Sequence, residues 1–148
     1  MNIEPTTTRD LARAIVVREV GLSPAPAEVA DADERIVARL VAYLGRWIGL
    51  DGCGVLLGTA LHRASIDWPI FARVRCRTRA APHLDGLDAH FYGLDGAEAA
   101  EATVVWLAEF MDLLGGTIGA DLARRLIVKA VEPENAKSDE SSGRRHDW

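Results

Sequence analysis

The sequence predicts an all-α fold, a four- to five-helix bundle in a single domain, and two apolar stripes with the punctuation between them carry that prediction. Ile36, Leu40, Leu44 and Ile48 recur at every fourth residue with Val37, Val41 and Trp47 beside them, an apolar face of about 100° or more. Val104, Leu107, Met111 and Leu114 form a second stripe flanked by Trp106, Phe110 and Leu113, wide enough to be covered from two sides. Gly21, Gly49, Gly115–Gly116, Pro69 and Pro133 fall between the periodic segments, where helices end.

Taken in order, the first helix is expected from Thr8 to Val20, with Thr7 and Asp10 at its start and Gly21 as its stop. The stretch Gly21-Leu-Ser-Pro-Ala-Pro26 breaks regular helix. Asp31 and Glu34 stand at capping-box spacing and predict the start of the second helix, which Gly49 closes. Asp51 is the expected cap of a third helix from Gly52 to about Ile66, before Trp68-Pro69 forces the backbone out of helix. Gly54 and Gly58 lie four apart there and leave one face bare, which predicts a closely crossing neighbour. Asp95 and Glu98 repeat the capping-box spacing for a fourth helix that ends at Gly115–Gly116. A fifth runs from Thr117 through Leu122, Leu126 and Ile127 to Val131.

Residues 70–94 break the helical pattern and read as an irregular or short-hairpin insertion in a helical domain spanning residues 1–132. The last residues, 133–148, form a polar tail with the composition of disordered chain. From Ile70 to Thr78 the residues alternate, placing Arg73, Arg75, Arg77 and Arg79 on one side of an extended segment and Val74, Cys76 and Thr78 on the other. Leu87-Asp-Ala-His-Phe-Tyr92 is the expected partner strand.

Charge is segregated around this insertion. Residues 73–79 carry +4, whereas residues 80–116 hold seven acids and no lysine or arginine, within a net charge of −5. A guanidinium row beside an acidic stretch predicts a chain that neutralises itself, within one molecule or across a dimer. An acidic chain with pI ≈ 5.3 repels polyanions as a whole, so nucleic acid is not expected as a partner. The four arginines are candidate partner- or anion-binding residues, because guanidiniums grip carboxylates and phosphates bidentately.

Other chemistry is thinly represented. Gly52-x-Gly54-x-x-x-Gly58 is spaced one residue too long for a dinucleotide loop and follows a helix rather than a strand. Cys53, Cys76, His62, His83 and His90 lack the C-x-x-C or H-x₃-H spacing that preorganises a metal site. No metal and no cofactor is expected. Cys53 falls in the first turn of the expected third helix, where a helix dipole lowers a thiol's pKa, so a thiol-dependent enzyme is one alternative. Another is a small-ligand or cofactor sensor with an interhelical pocket lined by Cys53, His62 and Trp106.

No nucleophile elbow, serine–lysine pair or histidine–acid signature is present. No secretion signal or long apolar run is evident, and two cysteines are too few for a disulfide framework. Arginine far outnumbers lysine, in keeping with a GC-rich bacterial genome. The sequence therefore points to a non-enzymatic, regulatory or protein-interaction module in the cytoplasm, away from membrane, self-associating as a homodimer and open to a protein partner.

Overall fold

Four α-helices and one short hairpin make up the described part of the chain. The structure is a computed structural model that describes residues 7–77, 83–85 and 93–132. The helices are α1 (Thr8–Val20), α2 (Pro26–Ala64), α3 (Gly96–Ile118) and α4 (Ala120–Val131). A 3-10 helix (Pro69–Arg73) and the strands β1 (Arg75–Arg77) and β2 (His83–Asp85) lie between α2 and α3. The expected all-α bundle is the observed one. Residues 133–148, the expected polar tail, lie outside the described residues.

α1 begins where Thr7 Oγ1 accepts the Asp10 N–H at 3.0 Å and stops where Gly21 N–H donates to the Val17 carbonyl at 2.7 Å. α2 starts five residues before the expected Asp31. Pro26 occupies its first turn, where a missing N–H costs nothing, and Glu28 Oε1 accepts the Ala25 N–H at 2.7 Å. Asp31 is consequently an exposed residue inside the helix. The capping box expected at α3 is complete: Asp95 Oδ1 accepts from Glu98 N at 2.8 Å, and Glu98 Oε1 from Asp95 N at 3.1 Å. α3 absorbs Gly115 and Gly116 and ends at Ile118. Gly119, at φ 100°, makes the break that the sequence placed at the Gly115–Gly116 pair.

Gly49 sets the topology. Its φ of 80° and ψ of 161° interrupt α2, a conformation in which a Cβ would be strained. Asp33, early in α2, bonds to Thr103 and Trp106 of α3, while Arg63, near the end of α2, lies 3.9 Å from Glu109 of the same helix. A straight helix would hold residues 33 and 63 about 45 Å apart. The chain therefore folds back at Gly49, and both halves of α2 lie on α3. The first half enters beside the start of α3, where a Cβ on Gly96 would stand 1.6 Å from the Pro24 carbonyl oxygen.

The core joins the stripes read from the sequence. Ile36, Leu40 and Leu44 from the first half of α2 and Leu57 from the second are fully buried with Trp106, Leu107, Phe110, Met111 and Leu114 of α3. Removing such side chains from water contributes about 1.5–3 kcal/mol each. Buried alanines (Ala12, Ala30, Ala60, Ala64, Ala99, Ala102) let the helix backbones approach closely. At the surface, Glu19 of α1 accepts hydrogen bonds from Arg35 Nε at 3.2 Å and Arg39 Nη1 at 2.9 Å, tying α1 to α2.

The insertion is a hairpin, with a different partner strand from the one expected. β1 pairs antiparallel with β2, setting Arg75 opposite Asp85, Cys76 opposite Leu84 and Arg77 opposite His83. The expected strand Leu87–Tyr92 lies outside the described residues. Upstream, the alternation seen from Ile70 is overridden. Trp68-Pro69 opens a 3-10 helix closed by Phe71 N–H on the Trp68 carbonyl at 3.0 Å, and it buries Phe71.

Candidate functional site

Two features stand out on this frame: exposed apolar residues on the second half of α2, and a carboxylic acid sealed between α2 and α3. In the second half of α2, Cys53, Leu57, Ala60, Leu61 and Ala64 point into the bundle. The opposite side carries Val55, Gly58, His62 and, two residues past the helix end, Ile66. All are exposed, and their spacings of three, four and four place them along one stripe.

Val55 is 67% exposed and Ile66 81%, and at the Gly49 turn Trp47 and Leu50 remain 61% and 44% exposed. A Cβ on Gly58 would meet nothing within 4 Å. Gly58 is thus turned outward, and among the described residues nothing crosses closely over it. By length and composition α2 is apolar enough to cross a membrane, its best 18-residue stretch having a mean hydropathy of 1.4 with 28% of it buried. Folded back at Gly49, however, neither half offers an unbroken apolar run of about 20 residues.

The sealed acid is Asp33, which is 0% exposed. Its Oδ1 accepts the Trp106 indole N–H at 3.1 Å, and its Oδ2 lies 3.0 Å from Thr103 Oγ1. Burial pushes its pKa from 3.8 up to about 8. The Glu34 charge adds to that rise, while the two hydrogen bonds oppose it. Its neighbour Glu34 reaches the hairpin, where both carboxylate oxygens accept the Leu84 N–H, at 3.2 and 3.3 Å. Adjacent residues on α2 thus serve separate tasks, Asp33 toward α3 and Glu34 toward β2.

The residues singled out from sequence are dispersed by the fold. Cys53 is buried, and that burial raises its thiol pKa, outweighing any helix-end dipole. Cys76 is pushed up to about 11, first by burial and then by the nearby Cys53 and Glu34 charges. His62 lies on the outward face, whereas Trp106 is sealed against Asp33. Cys53, His62 and Trp106 therefore line no shared pocket. Two open clefts are lined by other residues: one of about 270 Å³ between Glu19, Val20, Glu28, Asp31 and Arg35, and one of about 170 Å³ where Val17, Leu22 and Pro24 face Ala97 and Val104.

Arg73 belongs to the 3-10 helix and not to the strand, so it leaves the expected row. Arg73 and Arg75 are exposed, Arg77 is placed by its backbone opposite His83, and Arg79 lies outside the described residues. Two acids of the 80–116 stretch take other partners: Glu101 pairs with Arg13 and Glu109 lies near Arg63. Among the described residues no group of three or more His, Cys, Asp or Glu side chains is arranged to hold a metal ion.

Sequence reasoning passed over Asp33. The signal was there: it sits three residues before Ile36 and four before Val37, so an acid falls on the apolar face of the best-patterned helix. In comparisons with known proteins, the chain matches no family model, no curated protein and no solved structure.

Proposed function

We propose that the protein is a non-enzymatic, self-associating helical module whose dimer contact is the outward stripe of α2. The observation that carries this reading is that the helix with a stretch apolar enough for a membrane is the one left uncovered, with Val55 and Ile66 in water. Exposed apolar side chains aligned on one face are a common feature of interaction sites.

A second copy is the occupant that the stripe fits. Under a two-fold axis each copy presents the same patch to the other, and with the axis perpendicular to the helices the two α2 segments run antiparallel. With Val55 of one copy opposite Ile66 of the other, Gly58 falls inside the contact and lets the backbones approach. The charges flanking the stripe are Asp51, Arg63 and Asp67, of mixed sign.

Sedimentation equilibrium of the wild type and of Val55→Arg and Ile66→Glu tests this reading. The expected result is a wild-type dimer and variants of monomer mass with unchanged circular dichroism. A wild-type monomer at all concentrations overturns it. A monomer that binds anionic lipid vesicles through the same two residues assigns the stripe to membrane instead.

A further inference from the structure

Asp33 is fully buried with two side-chain hydrogen-bond donors, Thr103 and Trp106, and no cation paired to it. Thr103 Oγ1 lies 3.0 Å from Asp33 Oδ2 and 3.1 Å from the Ala99 carbonyl oxygen. A hydroxyl has one proton and cannot donate to both acceptors. A neutral Asp33 resolves the conflict. Its own proton on Oδ2 is donated to Thr103 Oγ1, Thr103 donates to the Ala99 carbonyl, and the Trp106 N–H serves Oδ1. Both Asp33 oxygens and the Thr103 hydroxyl are then engaged at once, at full burial. Removing the proton forces the Thr103 hydroxyl to turn from Ala99 to Oδ2. It also leaves a charge with two hydrogen bonds and no paired cation at full burial, next in the chain to a second acid.

We propose that Asp33 is a proton-operated latch between α2 and α3: its proton completes the Asp33–Thr103–Ala99 chain, and loss of that proton loosens the junction from which Glu34 holds the hairpin. Glu34, next to it on α2, is the charged group whose field reaches Asp33, and it favours the neutral acid. From α3 the facing groups are Thr103 and Trp106, which do not titrate in this range. The hairpin contributes Cys76, a thiol that is neutral at these pH values. Glu19 of α1 is engaged by Arg35 and Arg39, and α4 meets α2 through Arg39 Nη1 on the Val131 carbonyl at 3.3 Å. None of these supplies a cation to Asp33.

The folded chain retains a proton that the unfolded chain releases above its ordinary carboxyl range. Asp33 therefore supports folding fully below about pH 4, and this support is lost as pH rises toward about 8. Urea unfolding of the full chain from pH 4 to 9, wild type against Asp33→Asn, reads this directly. The folding constant of the wild type is expected to fall by up to about tenfold per pH unit relative to the variant across that range. The Leu84 amide resonance is expected to shift near pH 8, where the folded chain loses this proton, and Thr103→Ser to keep both responses. Parallel pH profiles for wild type and Asp33→Asn overturn the proposal. Should Asp33→Asn not fold, the infrared band of a protonated carboxylic acid in the wild type at neutral pH decides, and its absence overturns the proposal as well. The outcome is independent of the oligomeric state.

Discussion

At Trp106 and Asp33 burial and hydrogen bonding constrain each other most tightly. The indole fills the α2–α3 interface while its N–H supplies one of the two bonds that make a fully buried carboxyl tolerable. Trp106→Phe keeps most of the ring and leaves Asp33 Oδ1 without that donor. A loss of about 1–3 kcal/mol is expected in urea unfolding at mildly acidic pH, where Asp33 is neutral. Cys53 presents the opposite case, a residue whose position along the sequence promises reactivity that the fold withholds. With its thiol buried and its pKa raised, alkylation near neutral pH is expected to wait on unfolding and to become fast in denaturant. Cys76→Ser isolates the Cys53 signal, and native-state labelling as rapid as that of a free thiol would contradict its placement.

At the scale of elements, what the sequence made legible follows local physics, and what it hid follows tertiary contact. α1 and the start of α3 were readable because their caps are side-chain bonds three residues long: Thr7 with Asp10, and Asp95 with Glu98. The Asp31–Glu34 pair has the same spacing and caps nothing, since Pro26 and Glu28 had already opened the helix. β1 was readable in part. Its arginine alternation extends back to Arg73 in the sequence, but burial of Phe71 draws Arg73 into a 3-10 turn. The fold-back at Gly49 was readable only as a helix end, because the contacts that define it, Asp33 to Thr103 and Arg63 to Glu109, join residues far apart in the chain.

Two substitutions test this geometry. Gly96→Ala would place a Cβ against the Pro24 carbonyl, and it is expected to lower stability by about 1–3 kcal/mol or more, as overpacking does. Gly49→Ala forces a side chain into a region of φ and ψ that glycine alone occupies readily, at a cost of about 1–3 kcal/mol. Thermal unfolding of both variants checks these values, and wild-type stability in Gly96→Ala would contradict the close approach of α2 and α3. At the scale of the whole molecule, the core accounts for the inward faces of α1, α2, α3 and α4 but leaves the outer stripe of α2 in water, with Gly58 open and Val55 and Ile66 exposed. Of the acids in residues 80–116, Glu101 and Glu109 face Arg13 and Arg63 and Asp85 stands opposite Arg75 in the hairpin, so the proposed association rests on apolar surface rather than on the arginine row. Salt is accordingly expected to leave the proposed dimer intact, and replacing Arg73 and Arg75 by glutamine to leave its mass unchanged. The most direct test is the mass of the wild-type protein in solution beside that of Val55→Arg: the account predicts twice the chain mass for the first and a folded single chain for the second, and a single chain for both would contradict it.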